Sequence, residues 1–150
     1  MNFLKPIFKA GLIAGTLDIL AAIIILGKMN YAGTLKFIAS GVFGPEAFAG
    51  GPEMIIAGLI FHYLIALAFT ASWFYIYPLL PSVKTNWILS GFVIGILVWV
   101  IMNLGVLPLT NVSRSGLTLH GALLNMSILI VCIGLPVSYF SHHFFEKKED

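Results

Sequence analysis

Asp18 is the residue with the clearest potential for chemistry. It is the only Asp, Glu, Lys or Arg in an otherwise apolar stretch, residues 10–27. An acid near the centre of a membrane-spanning helix costs about 2.5–3.5 kcal/mol on insertion scales, so such acids face other helices and are often functional. Two interpretations follow. Asp18 handles protons or cations, or it is a polar clasp that joins two helices through a hydrogen bond.

His62 is the second candidate and lies in another apolar stretch, residues 54–83. At a helical rise of roughly 1.5 Å per residue, Asp18 and His62 reach similar depths if their helices cross a bilayer in opposite directions. A neighbouring acid and histidine could share a proton and titrate as one unit. The alternative is that His62 only hydrogen-bonds a backbone carbonyl or an amide.

Two amides, Asn103 and Asn125, lie inside the remaining apolar stretches. Amide contacts between membrane helices add about 0.6 kcal/mol on average, and up to about 1.7 kcal/mol. This value favours a packing role for both residues. Both also remain candidates for proton, ion or ligand contact beside Asp18 and His62.

A further polar group is predicted near the opposite membrane surface and comprises Glu46, Glu53, Arg114 and His120. Its spacing contains neither His-x-x-x-His nor Glu-x-x-His, so we predict no metal site. These residues are better explained as charged groups at helix starts, in solvated loops or in contact with phospholipid headgroups than as metal ligands. Because the sequence also lacks paired catalytic carboxylates and a Gly-rich phosphate loop, we predict no cofactor and do not favour an enzyme.

Four long apolar stretches must position these side chains, and each is long enough to cross the roughly 30 Å hydrocarbon layer of a bilayer. The chain is 59% hydrophobic and 9% charged, whereas soluble domains contain about 25% charged residues. We therefore predict one integral membrane domain over residues 1–150, an all-α bundle of four transmembrane helices. The predicted spans are about 6–27, 53–77, 86–107 and 117–140.

The segment between spans 1 and 2 has a helical pattern but is too short to cross the membrane. Over residues 33–43, Leu35, Ile38 and Val42 fall on one helical face, and Lys36 and Ser40 on the other. We therefore predict a short interfacial or re-entrant helix in this connection.

Small residues mark where the predicted helices approach one another. Glycines at such positions allow close backbone contact between membrane helices. Similar Gly-x-x-x motifs recur in spans 1 and 3, and again in spans 2 and 4, as two similar hairpins related by a pseudo-twofold axis would show. The predicted packing glycines are Gly11, Gly15, Gly58, Gly91, Gly95 and Gly121.

The distribution of Lys and Arg predicts the orientation. Five of these residues lie with the two termini and the turn between spans 2 and 3, and three lie on the other side: Lys5, Lys9, Lys84, Lys147 and Lys148 against Lys28, Lys36 and Arg114. The excess places both termini in the cytoplasm. The net charge of +2 without a basic run predicts no nucleic-acid partner. The expected partners are the lipid bilayer and, because four helices enclose a narrow interior, a second copy of the chain.

Several short motifs carry a family resemblance: residues 11–18, 38–44, 47–51, 102–109 and 134–136. On these motifs the chain resembles a family of small, uncharacterised bacterial inner-membrane proteins with four predicted transmembrane helices, and more distantly the YagU-type membrane proteins. The resemblance implies a multi-pass protein of the bacterial inner membrane. It implies no activity, and no functional residue follows from it.

Three functional classes stay open from the sequence. The first is transport of a small solute, ion or proton, or ligand binding, through a polar bundle interior around Asp18. The second is a non-catalytic protein of membrane assembly or lipid organisation, which needs only packing. The least favoured is a membrane enzyme that binds quinone, lipid or haem, suggested by His62 and His120, whose apparent depths differ by several residues.

Overall fold

A computed structural model describes residues 3–112, 116 and 118–147. These residues form seven helices, four of them long and apolar enough to cross a membrane. The prediction of an all-α bundle of four spans with a short helix between spans 1 and 2 is confirmed. The helices are α1 (Leu4–Leu26), α2 (Tyr31–Phe43), α3 (Glu46–Ala49), α4 (Pro52–Leu79), α5 (Pro81–Lys84), α6 (Trp87–Leu109) and α7 (Leu119–Glu146).

The largest difference from the predicted bounds is in the last span. Residues 141–146 continue α7 as a helix beyond the predicted end at residue 140. The apolar ring of Phe145 is buried there, so the helix stays on the bundle instead of ending at Phe140. Within this helix, Pro136 follows a wider π-helical segment, Ile130–Gly134. Proline has no N–H for the carbonyl four residues earlier, so the regular bonding pattern cannot continue through it.

The four spans do not pack equally on one another. Helix α1 packs on α4 and on α7, and α6 packs on α7, whereas α4 and α6 make little direct contact. Because the chain crosses the bundle four times, both termini lie at one end, here called the terminal end. The other end, called the connection end, carries residues 27–51 and, after α6, residues 110–112.

The hydrophobic core lies in the terminal half of the bundle, where all four spans meet. Most of its large buried rings come from α4 and include Phe74 and Tyr77, which are almost fully inaccessible. Side chains of α1, α6 and α7 pack around these rings. The core residues are Ile7, Ala10, Ala14, Trp73, Phe74, Tyr77, Ile94, Val98, Leu129, Ile133, Val137 and Phe145. This rigid half fixes the positions from which the spans extend toward the connection end.

Glycines form the contact between α6 and α7. A Cβ atom on Gly134 of α7 would overlap the backbone carbonyl oxygen of Gly91 of α6. A Cβ on Gly95 would lie only 2.5 Å from the Cα of Ile130. In helix α1, Gly11 and Gly15 instead make room for side chains of α4, those of Leu67 and Tyr63. Both hairpins thus pair their helices through a Gly-x-x-x-Gly motif on the first helix of the pair.

Helix α2 packs against α4 in the connection half. Asn30 caps its start by accepting a hydrogen bond from the backbone N–H of Gly33, at 2.8 Å. Gly44 ends it with φ of +68°, a conformation that glycine adopts without strain. A Cβ on Gly58 would overlap the carbonyl oxygen of Leu35, so the two backbones are in direct contact.

The predicted faces of α2 are partly wrong. Ser40, placed on the polar face, is buried and donates a hydrogen bond to the carbonyl of Phe37, whereas Val42 is 57% exposed. The physical reason is the close contact at Gly58. A helix that approaches another backbone this closely buries its small residues, here Ala39 and Ser40, rather than its largest apolar ones.

Candidate functional site

The connection half of the bundle contains a cavity of about 970 Å³. It lies between α1, α4, α6 and α7, and α2 lines its connection side. The lining is mainly apolar, with a few polar side chains. Ligand pockets typically measure roughly 300–1,000 Å³ and combine apolar walls with a few polar groups, so the cavity has the size and the composition of a small-molecule site.

All four side chains selected as proton, ion or ligand candidates line this cavity. Asp18 reaches it from α1, His62 from α4, Asn103 from α6 and Asn125 from α7. Each span therefore contributes one polar residue. Among the described residues of the lining, Asp18 is the only Asp or Glu, and no Lys or Arg is present.

His62 joins α4 to α1. Its Nε2 atom lies 2.7 Å from the carbonyl oxygen of Gly15. A carbonyl oxygen can only accept, so Nε2 carries the proton and donates it to Gly15. One residue further along each helix, the hydroxyls of Thr16 and Tyr63 form a second bond of 2.7 Å. These two bonds fix the histidine ring beside the cavity.

Asp18 lies one helical turn after Gly15, at the edge of this junction. It interacts electrostatically with His62 of α4 and with Cys132 of α7. Within the described part of the chain its carboxylate has no hydrogen-bond partner. The hydrogen bond between α1 and α4 at this level is made by His62 and not by the carboxylate. Asp18 is left available to a group inside the cavity.

The two amides are placed differently. Asn103 donates a hydrogen bond from Nδ2 to the backbone carbonyl of Trp99 in its own helix, at 3.0 Å. Asn125, by contrast, makes no side-chain hydrogen bond to any described residue. Both side chains are partly buried. An amide with free donor and acceptor positions in an apolar cavity can fix the orientation of a polar ligand.

Three spans change from α-helix to π-helix around the cavity. The segments are Ala22–Leu26 in α1, Ile101–Val106 in α6 and Ile130–Gly134 in α7. Residues of the first two segments line the cavity directly, including Asn103. Such π-helical turns are rare and occur frequently at functional sites, because they redirect side chains and widen the helix.

Sequence reasoning missed the aromatic part of the lining. Phe37 of α2, Phe48 of α3 and Phe61 of α4 contribute rings to the cavity wall. Nothing in their local pattern distinguishes these rings from others that face lipid. The proximity of Phe61 to His62 in the sequence was the one available signal.

The predicted group near the connection surface does not form a site. Glu46 and His120 are exposed and do not line the cavity. Glu53 accepts a hydrogen bond from the backbone N–H of Gly51 at the start of α4, which is a capping role. Arg114 lies outside the described residues, as does Lys148. Over residues 3–112, 116 and 118–147, no three His, Cys, Asp or Glu side chains cluster as metal ligands.

The predicted packing glycines occupy two kinds of position. Gly11, Gly15, Gly58, Gly91 and Gly95 lie at contacts between helices. Gly121 instead lines the cavity, and a Cβ there would meet only the hydroxyl of Thr118. The Thr118 hydroxyl accepts a hydrogen bond from the N–H of Gly121 and so caps α7.

No protein family, curated protein or solved structure matches this chain significantly in sequence or in fold.

Water access to the cavity can be measured by cysteine labelling. Cys132 is the single native cysteine, so C132A gives a cysteine-free background. In that background, N125C is expected to react with a charged thiol reagent about tenfold or more faster than V131C, since thiolates form in water and not in lipid. Val131 is a matched control because it lies on the same helix and is 58% exposed on the outer surface. Equal labelling rates would show that the cavity is dry.

Proposed function

We propose that this protein binds a small solute in the cavity of its connection half and moves it, or a proton, across a membrane. The observation that carries the proposal is the position of Asp18. Its carboxylate lines a cavity of ligand size, lacks a hydrogen-bond partner among the described residues and lies beside His62. Intramembrane acids that face a cavity mark ion, proton or substrate pathways in transporters.

His62 supports this role as a neighbour whose charge can change. The ring is held by Gly15, and a proton on its other nitrogen would place a positive charge near Asp18. Asp18 and His62 therefore act as a pair whose total charge determines what the cavity accepts. In this mechanism a proton and a solute compete for the same carboxylate.

We propose a bacterial inner membrane as the location, with both termini in the cytoplasm. The excess of Lys and Arg at the terminal end supports the orientation, and the resemblance of the short motifs supports the membrane. The cavity would then lie in the half of the bundle away from the cytoplasm. All four polar candidates of the cavity lining come from one chain.

The test compares wild type with D18N in sealed lipid vesicles. A pH-sensitive dye inside the vesicles reports proton movement after an imposed pH gradient, with and without candidate solutes. We expect D18N to lose the protein-dependent flux, because an amide cannot exchange a proton at neutral pH. E46Q is the matched control, since Glu46 is an exposed acid outside the cavity. Equal fluxes in D18N and wild type would refute the proposed function.

A further inference from the structure

The volume of the cavity is far larger than a bare inorganic ion requires. A volume of about 970 Å³ compares with roughly 30 Å³ for one water molecule in the liquid. A dehydrated metal cation needs about six or more oxygen ligands at short range. The described lining offers one carboxylate and separate amides and hydroxyls on different helices, with no cluster of acidic or histidine ligands. The cavity suits a molecule with many atoms.

The charge of the cavity lining indicates the sign of the charge that a bound molecule carries. Asp18 is its only described acid, and no described Lys or Arg offsets it. An anionic ligand would be repelled by the ionised carboxylate. While Asp18 is ionised and His62 is neutral, a neutral ligand would leave that carboxylate without a counter-charge in an apolar environment, which is costly. A cationic group satisfies both conditions.

The aromatic residues point to the same class of ligand. Phe37, Phe48 and Phe61 line the cavity that contains Asp18. The faces of aromatic rings attract cations with about 0.5–1 kcal/mol at exposed sites and about 2 kcal/mol when water is excluded. Quaternary ammonium groups are commonly recognised in this way. The mainly apolar remainder of the wall suits an apolar body attached to the charge.

We propose that the solute of the proposed function is an organic cation with an apolar body, which binds through Asp18 and the phenylalanine rings in exchange for a proton. An ionised Asp18 holds the cation, and a protonated Asp18 releases it. The titratable groups that face Asp18 from the neighbouring helices are His62 on α4 and the thiol of Cys132 on α7. Protonation of His62 adds positive charge to the cavity, so it acts in the same direction as protonation of Asp18.

Tetraphenylphosphonium is the probe, because its positive charge is permanent at every pH and its body is apolar. Binding to detergent-purified protein is measured by isothermal titration calorimetry. We expect saturable binding by wild type that weakens about tenfold or more as the pH is lowered, because protonation of the carboxylate removes the charge that attracts the cation. Triphenylphosphine oxide, a neutral relative, and sodium ions should not compete with the probe. Equal binding of the neutral relative would overturn the assignment.

Variants separate the contribution of Asp18 to binding from that of the phenylalanine rings. D18N should abolish measurable binding, and E46Q should retain it. F61L should weaken binding by about two- to thirtyfold, which is the range of a cation–π contact, whereas F8L should not change it. Phe8 is the matched control because it is 53% exposed in the terminal half of α1. In H62Q the pH dependence should persist, since Asp18 is still present; its disappearance would overturn the role of Asp18.

Should D18N fail to fold, the pH dependence of binding by H62Q and the comparison of charged and neutral probes on wild type still decide the question. The vesicle experiment distinguishes this assignment from the proposed function. An Asp18-dependent proton flux without any binding of tetraphenylphosphonium would refute the organic cation and leave the transport function intact. Absence of both would refute the two together.

Discussion

Adding a single methyl group at Gly134 is expected to destabilise the bundle strongly. In Gly134→Ala the new Cβ atom would overlap the carbonyl oxygen of Gly91 and lie 3.1 Å from the backbone nitrogen of Gly95. Backbone atoms cannot rotate away as a flexible side chain can. The helices α6 and α7 would have to separate. Overpacking of this kind costs about 1–3 kcal/mol. The contacts that are lost between α6 and α7 add to this cost.

The measurement is thermal unfolding of purified protein in detergent, with Gly105→Ala as the matched control. Gly105 lies on α6, and a Cβ there would meet no atom within 4 Å. Since alanine favours a helix over glycine by about 1 kcal/mol, G105A should leave the unfolding midpoint unchanged or raise it. A midpoint for G134A equal to that of wild type would show that the contact between α6 and α7 is looser than the structure indicates.

The four spans could be predicted because the membrane imposes one simple requirement on the sequence. Peptide groups in hydrocarbon must bond to one another, so long stretches without ionised residues form helices. The start of α6 could also be predicted from the local sequence. Asn86 accepts hydrogen bonds from the N–H groups of Ile88 and Leu89, as a residue of its type does before a helix. Local chemistry was sufficient for both features.

The cavity could be predicted only in part. The cost of a polar group in lipid requires residues such as Asp18 and Asn125 to face the bundle, so residue type alone selected the polar lining. The depth estimate for Asp18 and His62 followed from helical rise. The sequence did not indicate whether Asp18 or His62 would form the hydrogen bond between α1 and α4. The bond from His62 to Gly15 depends on the orientation of the histidine ring and on the spacing of the two backbones.

The width of the cavity and its aromatic wall depend on features without a local signature. The π-helical segments of α1 and α7 have ordinary apolar sequences, and the segment of α6 contains one polar residue, Asn103. The face that α2 presents to the bundle depends on its distance from Gly58, not on its own hydrophobic pattern. For the same reason Phe37 and Phe61 could not be distinguished from lipid-facing rings. These properties arise from tertiary packing rather than from any short segment.

The second large effect is expected at Gly58, where α2 meets α4. In Gly58→Ala the Cβ atom would overlap the carbonyl oxygen of Leu35. Helix α2 must therefore move away from α4, and it carries part of the cavity lining with it. The core of the bundle lies in the terminal half, so it should be largely spared. We expect tetraphenylphosphonium binding to weaken about tenfold or more, as a preformed site is lost, with a smaller drop in thermal stability than in G134A.

Ala68→Leu is the matched control, because Ala68 lies on the same helix with an exposed side chain and the added atoms point outward. It should change neither binding nor the labelling of N125C. In G58A the labelling rate of N125C should rise, since displacement of α2 opens the connection side of the cavity. Faster labelling together with weaker binding would assign to α2 the role of a cover that completes the site. Unchanged binding and unchanged labelling in G58A would instead show that the solute makes no use of α2, and that the cavity is formed by the four spans alone.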